Sequence, residues 1–275
     1  MLIREKMEDI KLLAEAVAET YWGDGCFDIE TVLSEKEIDL YEDEFGNEFD
    51  GVLEYADRKF SIFLNLDRGN SYETERGRYT LGHELGHFFI DEHRQPMEQG
   101  KLRPHPSKIL KSDSQIEREA DWFSSNLLMP EERFKKAAKK NKGFLGIKKL
   151  GNKFKTSWTA TAIRYVKTVS PDSALILWRD GISQWCITSE AYYLSMYKGK
   201  TAYKAPRGSV TEELLRSSTT GDIQSKGTLL SEWKPRIPTW STRNDILIEE
   251  ALCLGNYGVL TLLRPDINSS VKISY

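Results

Sequence analysis

Two histidines four residues apart lie in the segment His83-Glu84-Leu85-Gly86-His87. On an α-helix, residues with this spacing share one face and lie one turn apart. Both imidazole rings can then reach one metal ion, and zinc commonly takes histidine ligands. Glu84 follows on the same side, where it can reach a water on the metal, as the general base of a zinc protease does. The segment therefore predicts a metal-binding helix from about residue 75 to about residue 90.

A third protein ligand is needed, because catalytic zinc is held by three side chains and keeps a fourth position open. Residues 114–130 predict a second helix that carries two candidate carboxylates. We prefer Glu117, since the residues that follow on its helix face are small and leave room for a crossing helix. Glu119 is the alternative ligand, and aromatic residues crowd its face. Asp121, one turn after Glu117, is expected to accept the outer N–H of a ligand histidine.

Other side chains are candidates for less defined roles. Tyr72, Tyr79 and His93 are candidate donors to the transition state. His93 and His105 lie in residues 91–115, which we predict to be a long polar loop, and either is also a candidate extra ligand. Gly82 and Gly86 interrupt the predicted metal helix. Each costs about 1 kcal/mol relative to alanine, so we expect another backbone to approach closely there.

The segment from Tyr79 to Arg94, with Glu117-Arg-Glu-Ala-Asp121 and the residues up to Pro130, resembles the ImmA/IrrE family of zinc metallopeptidases. The resemblance covers roughly residues 1–140. It implies a zincin-like site in which His83, His87 and a glutamate of the second motif bind one Zn²⁺ and Glu84 is the base. It also implies a bacterial or phage regulator that cleaves a helix-turn-helix repressor and so releases stress-response or mobile-element genes.

Charge, cysteine content and hydropathy indicate the cellular compartment of the protein, but they do not indicate its function. The net charge is only −3, which identifies no partner, and the three cysteines are far apart, as expected in a reducing compartment. The sequence has no apolar run long enough to cross a bilayer, and the charged residues at its start are not those of a secretory leader. We therefore expect a cytoplasmic protein without membrane contact.

The predicted fold class is α+β, in three parts. Residues 1–142 form the metallopeptidase domain, with helices at 5–21 and 28–35 and a small sheet from strands at 38–41, 51–55 and 59–65. An edge strand of this sheet is a candidate for pairing with an extended substrate. Residues 143–170 form two short helices that resemble a helix-turn-helix. Residues 171–275 form a mostly β accessory domain with hairpins at 174–188 and 246–263, for sensing, substrate recognition or structure alone.

Residues 133–155 hold nine lysines, one arginine and no acid. Three interpretations stay open: contact with DNA phosphates, docking of a partner repressor, and a lysine face that is only solvated. The alternative function is accordingly a non-enzymatic regulator that binds DNA or a repressor here, with a structural metal. The presence of Glu84 argues against it, because a structural zinc needs no base and is normally closed by four protein ligands.

Overall fold

The computed structural model describes residues 2–101, 114–170, 173–189, 203–217, 219–233 and 246–266. They divide into two compact units, one of Met1–Lys136 with Leu150–Ala160 and the other of Ala137–Lys149 with Thr161–Tyr275. The three-part division given by the sequence stays a prediction. Among the described residues, no helix is both long and apolar enough to cross a membrane.

Helices form most of the first unit. Its helices are α1 (Leu2–Thr20), α2 (Ile29–Glu35), α3 (Glu75–Phe89), α4 (Asp91–Glu98) and α5 (Gln115–Leu128). Three more cross the boundary between the units: α6 (Glu131–Ala138), α7 (Gly143–Phe154) and α8 (Trp158–Thr168). Helix α1 packs on α5, where the Trp122 indole N–H donates to the Met7 carbonyl oxygen at 2.7 Å. The predicted helices at 5–21, 28–35, 75–90 and 114–130 are confirmed to within a few residues.

A three-stranded sheet lies in the first unit beside α3. It consists of β3 (Asp39–Asp43), β4 (Gly51–Ala56) and β5 (Lys59–Asn65), in the order β3-β5-β4. Strand β3 runs parallel to β5, whereas β4 runs antiparallel to it, so β4 is an edge strand within the described residues. Leu53, Ile62 and Leu64 point into the core and are at most 2 % exposed. A short ribbon, β1 (Trp22–Gly23) with β2 (Cys26–Phe27), and a 3-10 turn at Leu66–Arg68 complete the unit.

Helices α3 and α5 cross at the two glycines of the metal helix. A Cβ atom on Gly82 would lie 2.7 Å from Ser124 Oγ, and one on Gly86 would lie 3.1 Å from Ala120 Cα. Both distances are tighter than almost all real Cβ contacts, so a larger residue at either position would force Ser124 or the α5 backbone to shift. The close backbone approach expected from the sequence is confirmed, and it places side chains of the two helices at one point.

The second unit is built on a five-stranded antiparallel sheet with the order β7-β6-β10-β9-β8. Its elements are β6 (Ala174–Arg179), β7 (Ile182–Thr188), α9 (Val210–Leu214), β8 (Ile223–Leu229), α10 (Leu230–Trp233), β9 (Ile246–Cys253), a 3-10 turn (Gly255–Tyr257) and β10 (Val259–Pro265). Both predicted hairpins are present. Asp180 and Gly181 have φ angles of 54° and 75°, as the tight turn between β6 and β7 requires. Trp178 and Trp233 pack edge to face in its core, with ring centroids 6.2 Å apart.

The prediction of a continuous loop over residues 91–115 is wrong for its first part. Residues Asp91–Glu98 form α4, although Pro96 lies inside this helix. Two acidic residues in the first turn favour the helix electrostatically, and burial of His93 fixes it against the core. Tertiary packing has therefore overridden a polar, proline-containing segment. The later residues of the predicted loop, with His105, lie outside the described residues.

Candidate metal centre

The two histidines of α3 converge as the helical spacing predicts. Their Nε2 atoms lie 3.2 Å apart, and the side chains of His83 and His87 are 1 % and 9 % exposed. Glu117 of α5 completes the group, with its Oε2 3.2 Å from His83 Nε2 and its Oε1 3.6 Å from His87 Nε2. Ligands about 2.0–2.1 Å from a tetrahedral zinc ion are separated by about 3.3 Å. The three side chains therefore fit one zinc ion.

The same donor set is chemically suited to a metal. Among the described residues, His83, His87 and Glu117 have ligand atoms that all lie within 4.8 Å of one another. Two imidazoles and one carboxylate are the protein ligands of many catalytic zinc sites, which keep one position open. This group can therefore bind a metal ion.

Glu119, the alternative ligand, points elsewhere. Its carboxylate lies 2.8 Å from Lys6 Nζ and 2.9 Å from His93 Nε2, and it accepts a hydrogen bond from Gln115 Nε2 at 2.8 Å. Burial would raise the pKa of Glu119, but the hydrogen bonds from these three partners outweigh it and lower the pKa. Residues two apart on a helix lie on nearly opposite faces, so Glu117 and Glu119 cannot both reach His83 and His87.

Asp121 and Tyr79 lie behind His83. Asp121 Oδ1 is 3.0 Å from His83 Nδ1, which is the position expected for the acceptor of the outer ring N–H. The Tyr79 hydroxyl donates to the same Oδ1 at 3.3 Å, so in the structure the hydrogen bond of this candidate donor goes to Asp121. Burial, and then the charge of Asp121, raise the pKa of Tyr79 well above its ordinary value. Tyr79 therefore stays protonated and acts as a donor.

His93 is not an exposed loop residue but a buried residue of α4, with only 3 % of its surface exposed. Its Nδ1 lies 3.2 Å from His87 Nδ1, and its Nε2 faces Glu119. Burial lowers the pKa of His93, despite the opposing effect of Glu119. Both ring nitrogens are engaged by protein groups, and the role of His93 as a transition-state donor or extra ligand stays a prediction. Tyr72 lies just before α3, where its backbone N–H donates to Glu42 Oε1 at 2.6 Å.

Glu84, the candidate base, is 1 % exposed and lies beside the start of the edge strand β4. A Cβ atom on Gly51 would lie 3.1 Å from Glu84 Oε1 and 2.5 Å from Thr80 Cγ2. Gly51 is therefore needed for β4 to approach the α3 carboxylate. An extended chain paired with β4 would pass next to Glu84.

A buried carboxylate fixes the start of β4 at this position. Asp50, 1 % exposed, accepts hydrogen bonds from Arg68 Nε and Arg76 Nη2, both at 2.8 Å, and from Asn70 Nδ2 at 3.0 Å. Burial would raise the pKa of Asp50, but the hydrogen bonds outweigh it and lower the pKa to about 2. Thr80 of α3 also donates to Asn70 Oδ1 at 2.7 Å. This network connects the edge strand to the metal helix.

The sequence profile of the Peptidase_M78 family, described as an IrrE N-terminal-like domain, matches residues 35–165. The match includes both helices that carry the candidate ligands. Residues 35–165 are therefore similar to the IrrE N-terminal-like domain, over just under half of the chain. The family supports a peptidase-type or regulatory function, and the three ligand side chains are consistent with a metallopeptidase site.

One solved structure, described as a Mycobacterium tuberculosis transcriptional regulator, shares the fold. It has a TM-score of 0.61 at 12 % sequence identity, over 96 % of this chain and 82 % of its own. At this identity the similarity shows a common fold alone. No curated protein sequence matches the chain.

The candidate metal centre should bind zinc more tightly as pH rises. Burial alone would lower the pKa of His83, but hydrogen bonds to Asp121 and Glu117 raise it to about 10 in the metal-free protein. Because this pKa lies above the ordinary 6.5, His83 keeps its proton through neutral pH, and the metal must displace it. We expect the apparent zinc affinity to rise about tenfold per pH unit between pH 7 and 8.5.

Competition with a chelator of known pH dependence measures this slope. Asp121→Asn keeps an acceptor for the ring N–H of His83 but removes a charge that favours the imidazolium. Its slope should be shallower, and the comparison cancels contributions common to both proteins. A wild-type zinc affinity that does not change between pH 7 and 8.5 would show that His83 has no raised pKa.

Sequence reasoning missed the buried group behind His87. Its available signal was the position of His93, six residues after His87, together with a second acid two residues after Glu117. The spacing of Glu119 indicates that it faces away from the metal, toward whatever packs on the other side of α5. The segment around His93 was predicted to be a loop, so nothing suggested that the two side chains meet.

Proposed function

We propose that the chain is a zinc-dependent endopeptidase. The observation that carries this proposal is the convergence of His83, His87 and Glu117 on one point, with the Glu84 carboxylate one residue after the first ligand. A structural zinc would need neither an open position nor an adjacent carboxylate. The family match supports the same class of chemistry.

In this proposal the residues of the chain have separate roles. His83, His87 and Glu117 hold the ion, and Asp121 fixes the ring of His83. A bound zinc ion would polarise the scissile carbonyl and lower the pKa of the attacking water toward about 7. Glu84 accepts a proton from that water as it attacks the carbonyl carbon. Glu84 then delivers the proton to the leaving amine as the peptide bond breaks.

The proposed substrate is a helix-turn-helix transcriptional repressor, whose cleavage would switch on stress-response or mobile-element genes. This part rests on the family resemblance, and the fold shared with a protein described as a transcriptional regulator is consistent with it. Within the described residues β4 is the edge strand of its sheet, and it begins beside Glu84, which supports an extended substrate segment that pairs with this edge. A repressor segment that unfolds locally would fit this edge.

The test is incubation of the zinc-loaded chain with the helix-turn-helix protein encoded nearest to its gene. We expect defined fragments, detected by mass spectrometry, that disappear after chelation and return when zinc is restored. An unrelated folded helix-turn-helix protein serves as the control substrate. If the zinc-loaded chain leaves the repressor intact under conditions in which it binds the repressor, the proposed activity is wrong.

A second candidate function is binding of DNA through residues 133–155. The observation that favours it is the exposure of seven lysines in this region, at positions 136, 139, 140, 142, 149, 153 and 155. Solvent-exposed lysines can neutralise phosphates and make binding strongly salt-dependent. A gel shift with duplex DNA distinguishes the candidates. Salt-sensitive binding that survives zinc removal, without repressor cleavage, would favour the regulator.

A further inference from the structure

We propose that the buried residues His93 and Glu119, together with the half-buried Lys6, form a relay that positions His87 for the metal. The inference rests on the metal-binding part of the proposed function and not on peptide cleavage. In this relay His93 and Glu119 are positioning residues, because neither lies among the ligand atoms. The relay would hold the ring of His87 in place as Asp121 holds the ring of His83. The carboxylate of Glu119 would act on His87 through the imidazole ring of His93.

The direction of every hydrogen bond in the relay follows from the metal. If His87 presents the lone pair of Nε2 to an ion, its ring proton must lie on Nδ1. That N–H points at His93 Nδ1, 3.2 Å away, which must then be an acceptor. The ring proton of His93 is therefore on Nε2, from which it donates to Glu119 Oε2 at 2.9 Å. One proton arrangement satisfies all three groups.

The far end of the relay is a fixed negative charge. Glu119 is 1 % exposed and lies 2.8 Å from Lys6 Nζ of α1, and Gln115 donates to its other oxygen. A buried carboxylate is retained at such a position only when it is paired and hydrogen-bonded. Lys6 therefore keeps Glu119 ionised, and the ionised Glu119 keeps the His93 proton on Nε2.

The two ligand histidines thus have different support. His83 is held by Asp121, a carboxylate that is 37 % exposed, whereas His87 is held through His93 and Glu119, which are both buried, and through the half-buried Lys6 of α1. Substituting a partner that orients a metal-bound histidine typically lowers metal affinity about 10–100-fold. The structure assigns this effect to residues outside the ligand set, including Lys6 on the first helix.

Zinc dissociation constants from chelator competition, without substrate, test the relay. His93→Leu should weaken zinc binding about 10–100-fold, because the Nδ1–H of His87 loses its acceptor. His93→Asn should restore most of the affinity, because the amide oxygen of asparagine can lie near the former Nδ1 position. Visible spectra of the Co²⁺-loaded proteins should show altered ligand geometry in the leucine variant only.

A matched pair of lysines on α1 separates positioning from general stability. Lys6 pairs with Glu119 at 2.8 Å, and Lys11 pairs with Glu131 at the same distance. Both Lys6→Met and Lys11→Met remove one ion pair between α1 and the rest of the unit. We expect a lower zinc affinity, by about threefold or more, in Lys6→Met alone.

Two results would overturn the relay. One is a His93→Leu protein that binds zinc as tightly as the wild type. If that variant does not fold, the other applies: Lys6→Met and Lys11→Met change zinc affinity equally. These outcomes are separate from peptidase activity, since a protein that binds zinc through the relay but cuts no repressor would contradict only the proposed function.

Discussion

Glu84→Gln should abolish peptide cleavage while leaving zinc bound. The substitution keeps the size of a side chain that is only 1 % exposed, so the packing of α3 on β4 should survive. Glutamine cannot accept the proton of the attacking water. We expect a loss of about 10²–10⁴-fold in kcat, the usual contribution of a general base. Fragment release from the repressor and zinc content per chain are the two measurements.

Glu75→Gln is the matched control for this prediction. Glu75 begins the same helix but is exposed and lies two turns before the ligands. The Glu75→Gln protein should cleave the repressor at close to the wild-type rate. A Glu84→Gln protein that is equally active would show that Glu84 is not the base, and one that loses zinc would show that the carboxylate supports the metal site itself.

The sequence was most informative where one local rule determines geometry. The spacing of His83 and His87 is sufficient to place both rings on one helix face, and the two interior glycines correctly predicted a crossing helix. The preference for Glu117 over Glu119 used the sizes of neighbouring side chains, and the structure places Glu117 beside the histidines. The β6–β7 hairpin followed from Asp180-Gly181, because few residue pairs accept two positive φ angles.

What the sequence could not give depends on contacts between distant segments. Lys6 and Glu119 are 113 positions apart and meet only because α1 packs on α5. Helix α4 is not the structure that its local composition favours. A polar segment that contains Pro96 is typical of a loop, and the sequence does not show that His93 is buried. The Asp50 network also joins residues up to 26 positions apart, which no periodic pattern indicates.

Glu117→Ala should cause a larger loss of metal affinity than any substitution behind the ligands. The substitution removes one of three ligands, so the zinc dissociation constant should rise beyond the roughly 100-fold that is the upper end for partners behind a ligand. Binding of zinc to the folded state stabilises it by about 4 kcal/mol at a thousand times the dissociation constant. The wild type should therefore show a clear rise in Tm with added zinc, and at the same zinc concentration Glu117→Ala should gain about a third of that stabilisation or less, about 1.4 kcal/mol at most.

Glu119→Ala provides the decisive comparison, because both carboxylates lie on α5 and only their direction differs. It should bind zinc more tightly than Glu117→Ala, since it keeps all three ligand side chains and loses only the support of His87. The Tm values of the two variants without metal should also differ. Glu119→Ala leaves His93 and Lys6 without their buried carboxylate and should unfold at a lower temperature, whereas Glu117→Ala removes a carboxylate that is 12 % exposed. The reverse order of zinc affinities would exchange the roles assigned to the two glutamates.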